Sequence, residues 1–121
     1  MKIGVVGTFI RDRISPWQGE TVESIGGIFF TVSYLANLLD CNSEIYPVAY
    51  VGDDFYDQLI EQLSAYENVR LEGIRRVART NTRVELFYSG PQERYEVTTP
   101  PMPPLTLDEL AILRDTDAVL V

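Results

Sequence analysis

The carboxylate best placed to hold a hydroxylated small molecule is Asp12, in GVVGTFIRD (4–12), just after a first apolar strand. In open α/β sheets, ligands occupy the crevice beyond the carboxyl ends of the strands. A charged acceptor there makes stronger hydrogen bonds to hydroxyls than a neutral one. The position equally suits a solvated loop aspartate flanked by Arg11 and Arg13. A second group is Gly26 and Gly27, which precede a helical pattern in SIGGIFFTVSYLANLLD (24–40). The first N–H groups of a helix have no partner inside it, and two residues without side chains leave a polar ligand free to reach them. A simple tight turn accounts for the pair as well. The third group is basic: Arg70, Arg75, Arg76, Arg79 and Arg83 crowd one stretch. Guanidinium forks match phosphate and carboxylate. Arg83, on an alternating strand, is the anion-binding candidate, while the others read as the solvated face of strands beside Glu72 and Glu85.

Other patterns carry less. The acidic pair in GDDF (52–55) fits helix capping better than metal binding. With no His and only Cys41, a zinc site is not expected and an internal disulfide is excluded. GVVGTF lacks the G-x-G-x-x-G spacing of a dinucleotide turn, which leaves a dinucleotide-dependent oxidoreductase the least favoured reading.

The elements that would position these residues follow from periodicity. KIGVVG (2–7) reads as a buried strand, and 8–24 as a turn-rich segment with one or two short strands. From Ile28, apolar residues recur at Val32, Leu35, Ala36 and Leu39, and Phe29, Phe30 and Leu38 make the remainder apolar too. A largely buried helix is expected there. IYPVAYV (45–51) is a second strand, despite Pro47, and DDFYDQLIEQLSAY (53–66) an amphipathic helix. TRVELFYS (82–89) and ERYEVTT (93–99) alternate about GPQ, the pattern of an antiparallel hairpin. Thr106 and Glu109 form a T-x-x-E capping box opening a short helix, and DAVLV (117–121) is a last apolar strand. A β-branched strand after a helix normally lies inside a parallel sheet, with helices on both faces. About three helices are few for that, so the chain reads as the N-terminal portion of a larger α/β domain. The alternative is that 117–121 closes the sheet at this length.

Composition narrows the partners. The chain has 121 residues, 45% hydrophobic and 23% charged, with a formal net charge of -8. That length suits one domain, and the acidic balance argues against nucleic-acid and anionic-membrane binding. No apolar run approaches the roughly 20 residues of a membrane span. The start MKIGVVGTF is too quickly polar for a signal peptide, so a cytoplasmic location is expected.

The order of these motifs resembles the N-terminal part of PfkB-type (ribokinase-like) sugar and nucleoside kinases, over nearly the whole chain. Gly7 to Asp12 matches a glycine-to-aspartate step whose aspartate binds substrate hydroxyls in that family. Gly26, Gly27 and Thr31 match a G-G-x-x-x-N helix opening, with Thr31 replacing the usual Asn. Gly52, Asp54 and Leu63 match a G-x-D before a helix, with Asp57 where a glycine often sits. Gly90, Glu93 and Arg94 match the turn of the family's β lid, although SGPQER is longer than usual. The resemblance implies a ribokinase-like three-layer Rossmann-type sheet with an antiparallel β lid, formed by about 8–25 and 69–99. It implies a parent that moves the ATP γ-phosphate to a sugar or nucleoside hydroxyl, using ATP and Mg2+. Asp12, Gly26, Gly27 and Thr31 would hold the acceptor beneath the lid. The family's catalytic G-A-G-D segment and most of its nucleotide site lie beyond residue 121. This chain alone is therefore expected to bind neither ATP nor metal and to be inactive. The rival reading is a non-catalytic, kinase-derived module that binds a metabolite or dimerises through its exposed lid sheet.

Overall fold

In the computed structural model, which describes residues 1–121, the elements run in the order β1 (Lys2–Val6), β2 (Phe9–Ser15), β3 (Val22–Gly27), α1 (Ile28–Leu38), β4 (Glu44–Gly52), α2 (Tyr56–Leu63), β5 (Ile74–Val77), β6 (Arg83–Tyr88), β7 (Arg94–Thr98), α3 (Leu107–Leu110), a 3-10 segment (Ala111–Asp115) and β8 (Ala118–Leu120). The apolar β-branched runs assemble into a parallel sheet of order β5-β4-β1-β8. Alternate residues of a strand face opposite sides. Ile3 and Val5 of β1, with Ile45, Ala49 and Val51 of β4, pack on Val32 of α1 and on Phe55, Leu59 and Leu63 beside or within α2. The opposite face presents Gly4 to Leu113 of the 3-10 segment, and the Arg75–Glu109 ion pair at 3.0 Å fastens α3 to β5. Helical layers therefore lie on both faces of the sheet. Glu109 also closes the expected capping box, accepting the Thr106 backbone N–H at 3.2 Å.

Pro47 sits inside a central strand without breaking the ladder. Ile45 bridges Val69, and pairing with β5 begins only at Ala49 opposite Ile74. Pro47 falls in the gap between those contacts, where the neighbouring chain detours through Gly73 and no donor is needed.

A second four-stranded sheet, of order β3-β2-β6-β7, stands on the first as a lid. Both hairpins, β2–β3 and β6–β7, are antiparallel, and they join through a parallel β2–β6 pair. The lid is shorter than the resemblance implied. Ile74–Val77, inside the expected 69–99 segment, belongs to the parallel sheet, because Ile74 is needed to complete the core beside Ala49.

One other expectation is corrected. Helix α1 is not largely buried: Val32 is its single fully buried residue, while Phe30, Tyr34 and Leu38, four residues apart, are 54%, 68% and 76% exposed. Its buried stripe is covered by the sheet, and this second apolar stripe is not. Strand β8 pairs with β1, and all three of its residues are exposed in this chain.

Candidate functional site

Strand β2 continues β1 past Gly7 and Thr8, which carries Asp12 out of the main sheet and into the second row of the lid. Its neighbour β3 returns antiparallel, with Ser24 opposite Asp12 and Gly26 opposite Ile10. These residues share one face of the lid, and the carboxylate of Asp12 lies against Gly26. A Cβ at Gly26 would fall on the Asp12 carboxylate oxygens, so the first glycine is the space that this side chain occupies. Gly27 has a different reason. Its φ of 65° lies in the left-handed region that disfavours side chains, and a Cβ there would meet the Thr8 carbonyl oxygen.

That turn delivers α1 with its N-terminus beside the end of β1. Ile28 N–H donates to the Thr8 carbonyl at 3.0 Å, and Gly27 caps the helix without any side-chain hydrogen bond. The next amides of the first turn carry the positive end of the helix dipole and are left without a capping group. Thr31 follows in that first turn, half-buried. Asp12 itself is partly withdrawn from water. Burial, reinforced by the charge of Glu96 across the lid, raises its carboxyl above the usual carboxylate range. Glu96 pairs opposite Leu86 of β6, which puts it on the face of Asp12. A carboxylate that accepts, next to amides that donate, can hold a vicinal or polyhydroxylated ligand from two sides.

Arg83 borders one small cleft together with Asp12 and Ser24. Arg83 pairs opposite Arg11 of β2, and therefore lies on the other face of the lid from Asp12. Its guanidinium approaches Glu85 at 3.4 Å, in ion-pair range, although its buried Nε makes no hydrogen bond of good geometry. That cleft, also bordered by Arg11, Arg13 and Gln58, measures about 10 Å³, which holds roughly one water.

Asp53 and Asp54 do not cap α2, whose N-cap is Phe55. Asp54 accepts the Asn81 backbone N–H at 2.8 Å and pairs with Arg11 at 3.1 Å, while Asp53 pairs with Arg76 at 2.6 Å. Arg11 also lies over the Phe55 ring at 5.6 Å. The Asp54 and Phe55 contacts of Arg11 brace the lid against the main sheet, while Asp53–Arg76 joins β5 to the end of β4 within that sheet. Three or more His, Cys, Asp or Glu side chains nowhere gather as a metal site.

The residue that sequence reading missed is Asn81. It is fully buried, and its amide donates to the carbonyls of Phe9 and Thr82 at 2.9 and 3.0 Å, while its oxygen accepts the Gly52 N–H at 3.0 Å. One side chain thus ties the start of β2, the start of β6 and the end of β4. Its only sequence signal is the TNT trio before an alternating strand, which an ordinary turn asparagine would also give.

No protein-family model matches the sequence, and no curated protein matches it significantly. Solved structures do. An uncharacterised sugar kinase from Pyrococcus horikoshii superposes with a TM-score of 0.73 at 22% identity, covering 98% of this chain and 42% of that one. The same protein has been solved in complex with ATP. Halothermothrix orenii fructokinase gives a TM-score of 0.65 at 17% identity over 83% of this chain and 38% of its own. A Burkholderia thailandensis nucleoside kinase, solved in complex with inosine, gives 0.62 at 14% identity over 81% of this chain and 35% of its own. The chain thus spans well under half the length of each. Its parallel sheet and its second sheet together have the fold of the N-terminal portion of these structures, a ribokinase-like fold.

Proposed function

We propose that this chain is the substrate-binding and lid part of an ATP-dependent carbohydrate kinase, which phosphorylates a hydroxyl of a sugar or nucleoside in the cytoplasm. The observation that carries the reading is the Asp12 carboxylate seated in the space left by Gly26, beside an uncapped helix mouth. In this reading Asp12 accepts hydrogen bonds from acceptor hydroxyls, the amides beyond Gly27 donate to the ligand, and Thr31 offers a hydroxyl that both donates and accepts. The lid closes over the acceptor and excludes water from the transfer. ATP and Mg2+ belong to the whole enzyme: phosphoryl transfer needs charge stabilisation around the moving group, and the groups assembled around Asp12 supply acceptor binding instead.

Calorimetric titration of the chain with a panel of sugars and nucleosides tests the reading. Heat is expected with one class of polyhydroxylated ligand and is expected to vanish in Asp12→Ala. Heat that persists unchanged in that variant refutes the role of Asp12. The exposed lid favours a second reading, a kinase-derived module that associates with itself through that sheet, for which the parent would show association in solution and no sugar heat.

A further inference from the structure

Two turns leave the same end of the second sheet. Strands β2 and β6 run parallel, with Ser15 opposite Phe87, so Trp17 and Ser89, each two residues further on, emerge on neighbouring strands. Gly19, whose φ of 100° lies in the left-handed region, shapes the first turn. The second is closed by the Ser89 N–H, which donates to the Glu93 carbonyl at 3.0 Å. Between the turns lies a cavity of about 500 Å³, lined by Trp17, Ser89, Gly90, Pro91, Gln92 and Glu93. That volume is in the range of small-molecule sites.

Neither turn needs a tryptophan. Trp17 is the chain's single one, and indole rings are mostly withdrawn from water, with the ring N–H bonded. Trp17 instead remains 52% exposed. It neither stacks on another ring, as Phe87 and Tyr95 do, nor lies beneath a guanidinium, as Phe55 and Tyr56 do. The side chains of Ser89, Gln92 and Glu93 are equally unspent, since the side-chain hydrogen bond at this end of the sheet joins Ser15 to Thr21.

We infer that this cavity binds a hydroxylated sugar ring, at a site separate from the one around Asp12. The apolar face of such a ring, where C–H groups carry slight positive charge, packs on the electron-rich face of Trp17. Hydroxyls at its edge donate to the Glu93 carboxylate, a charged acceptor, while Gln92 and Ser89 each donate and accept. A quaternary ammonium would also fit Trp17 and Glu93, but it has no hydrogen-bonding group for Gln92 or Ser89. Trp17 lies five residues beyond Asp12, roughly 16 Å along an extended strand. One monosaccharide therefore cannot reach both sites, and the inference rests neither on Asp12 nor on kinase activity.

The 121-residue chain is titrated with the methyl glycosides of glucose, galactose, mannose and ribose, and Trp17 fluorescence is excited beyond tyrosine absorption. The signal belongs to the site because no other indole is present. Emission is expected to change and to saturate with at least one glycoside. Glu93→Ala and Gln92→Ala, which keep the reporter, should each weaken that binding roughly tenfold. Trp17→Ala should remove its heat in calorimetry, and circular dichroism confirms that each variant is folded. Asp12→Ala should leave the fluorescence titration unchanged, so failure of the acceptor site and failure of this one are distinguishable. Emission that no glycoside changes saturably overturns the proposal. So does saturation unaltered in both Glu93→Ala and Gln92→Ala, a titration lost in Asp12→Ala, or saturation by tetramethylammonium and by no glycoside.

Discussion

Asn81→Ala is expected to lower the stability of the folded chain by about 3 kcal/mol, the largest single-residue effect outside the apolar core. The side chain is fully buried and makes three hydrogen bonds, all to backbone groups of different segments. Removing it leaves the Gly52 N–H and the Phe9 carbonyl without partners, and each unsatisfied buried group costs about 1–3 kcal/mol. Partial solvation through the small cavity left behind keeps the sum from reaching the upper limit. Urea denaturation followed by circular dichroism measures the change. Thr80→Ala, one residue away at an exposed position, should stay within about 0.5 kcal/mol of the parent. If Asn81→Ala behaves like that control, the asparagine does not anchor the lid. Because Asn81 joins the base of β2 to the end of β4, its loss should also loosen the lid and weaken whatever Asp12 binds.

Asp12→Asn is expected to do two opposed things: abolish ligand binding and raise stability at neutral pH. Burial first, and the charge of Glu96 second, raise the Asp12 carboxyl in the folded chain. The folded state therefore holds this proton more tightly than the unfolded state. Stability that comes from protonating Asp12 is present at low pH and is lost as pH rises through the folded-state value. Above that value the parent carries the cost of a partly desolvated charge, which the amide does not. The melting temperature of Asp12→Asn should exceed the parent's at neutral pH, and the difference should shrink as the solution is acidified below the ordinary carboxylate range. Glu96→Gln, which removes the second cause, should reproduce part of the gain. A residue whose charge destabilises the fold is retained for function rather than for structure. An Asp12→Asn variant less stable than the parent at neutral pH would mark the aspartate as structural.

What was legible in the sequence was what local pattern determines. The β-branched run of β1, the apolar face of α2 and the alternation of β6 and β7 about GPQ each specify an element from its own residues. Exposure was less legible. Helix α1 is apolar nearly all round, and a pattern of that kind says that a face can be buried, not that another element lies against it. Faces across strands were not legible at all. Whether Arg83 shares a side with Asp12 depends on the β2–β6 register, and a slip of one residue would reverse the answer. The same holds for Gly26. Its glycine pair looked like a turn or an approach path, whereas the occupant of the space is Asp12, fourteen positions earlier. Asn81 was hidden for a related reason, since two of its three partners, Gly52 and Phe9, lie far from it in the chain.

The aspartates at 53 and 54 show the opposite error. Acidic residues before a helix ordinarily cap it or meet its dipole. Here Arg11 and Arg76, delivered by β2 and β5, take those carboxylates instead. An arginine brings a full positive charge and several donors to a carboxylate, where a helix end brings a partial charge, so tertiary partners displace the local one.

Amide NMR during titration with sugars and nucleosides reads whether the Asp12 carboxylate and the helix mouth beyond Gly27 form an acceptor site for hydroxylated ligands. A ligand is expected to shift the resonances of Asp12, Gly26, Gly27 and the first turn of α1, and Asp12→Ala is expected to remove those shifts while the rest of the spectrum stays folded. Shifts confined to other surfaces, or the same shifts in Asp12→Ala, would contradict it.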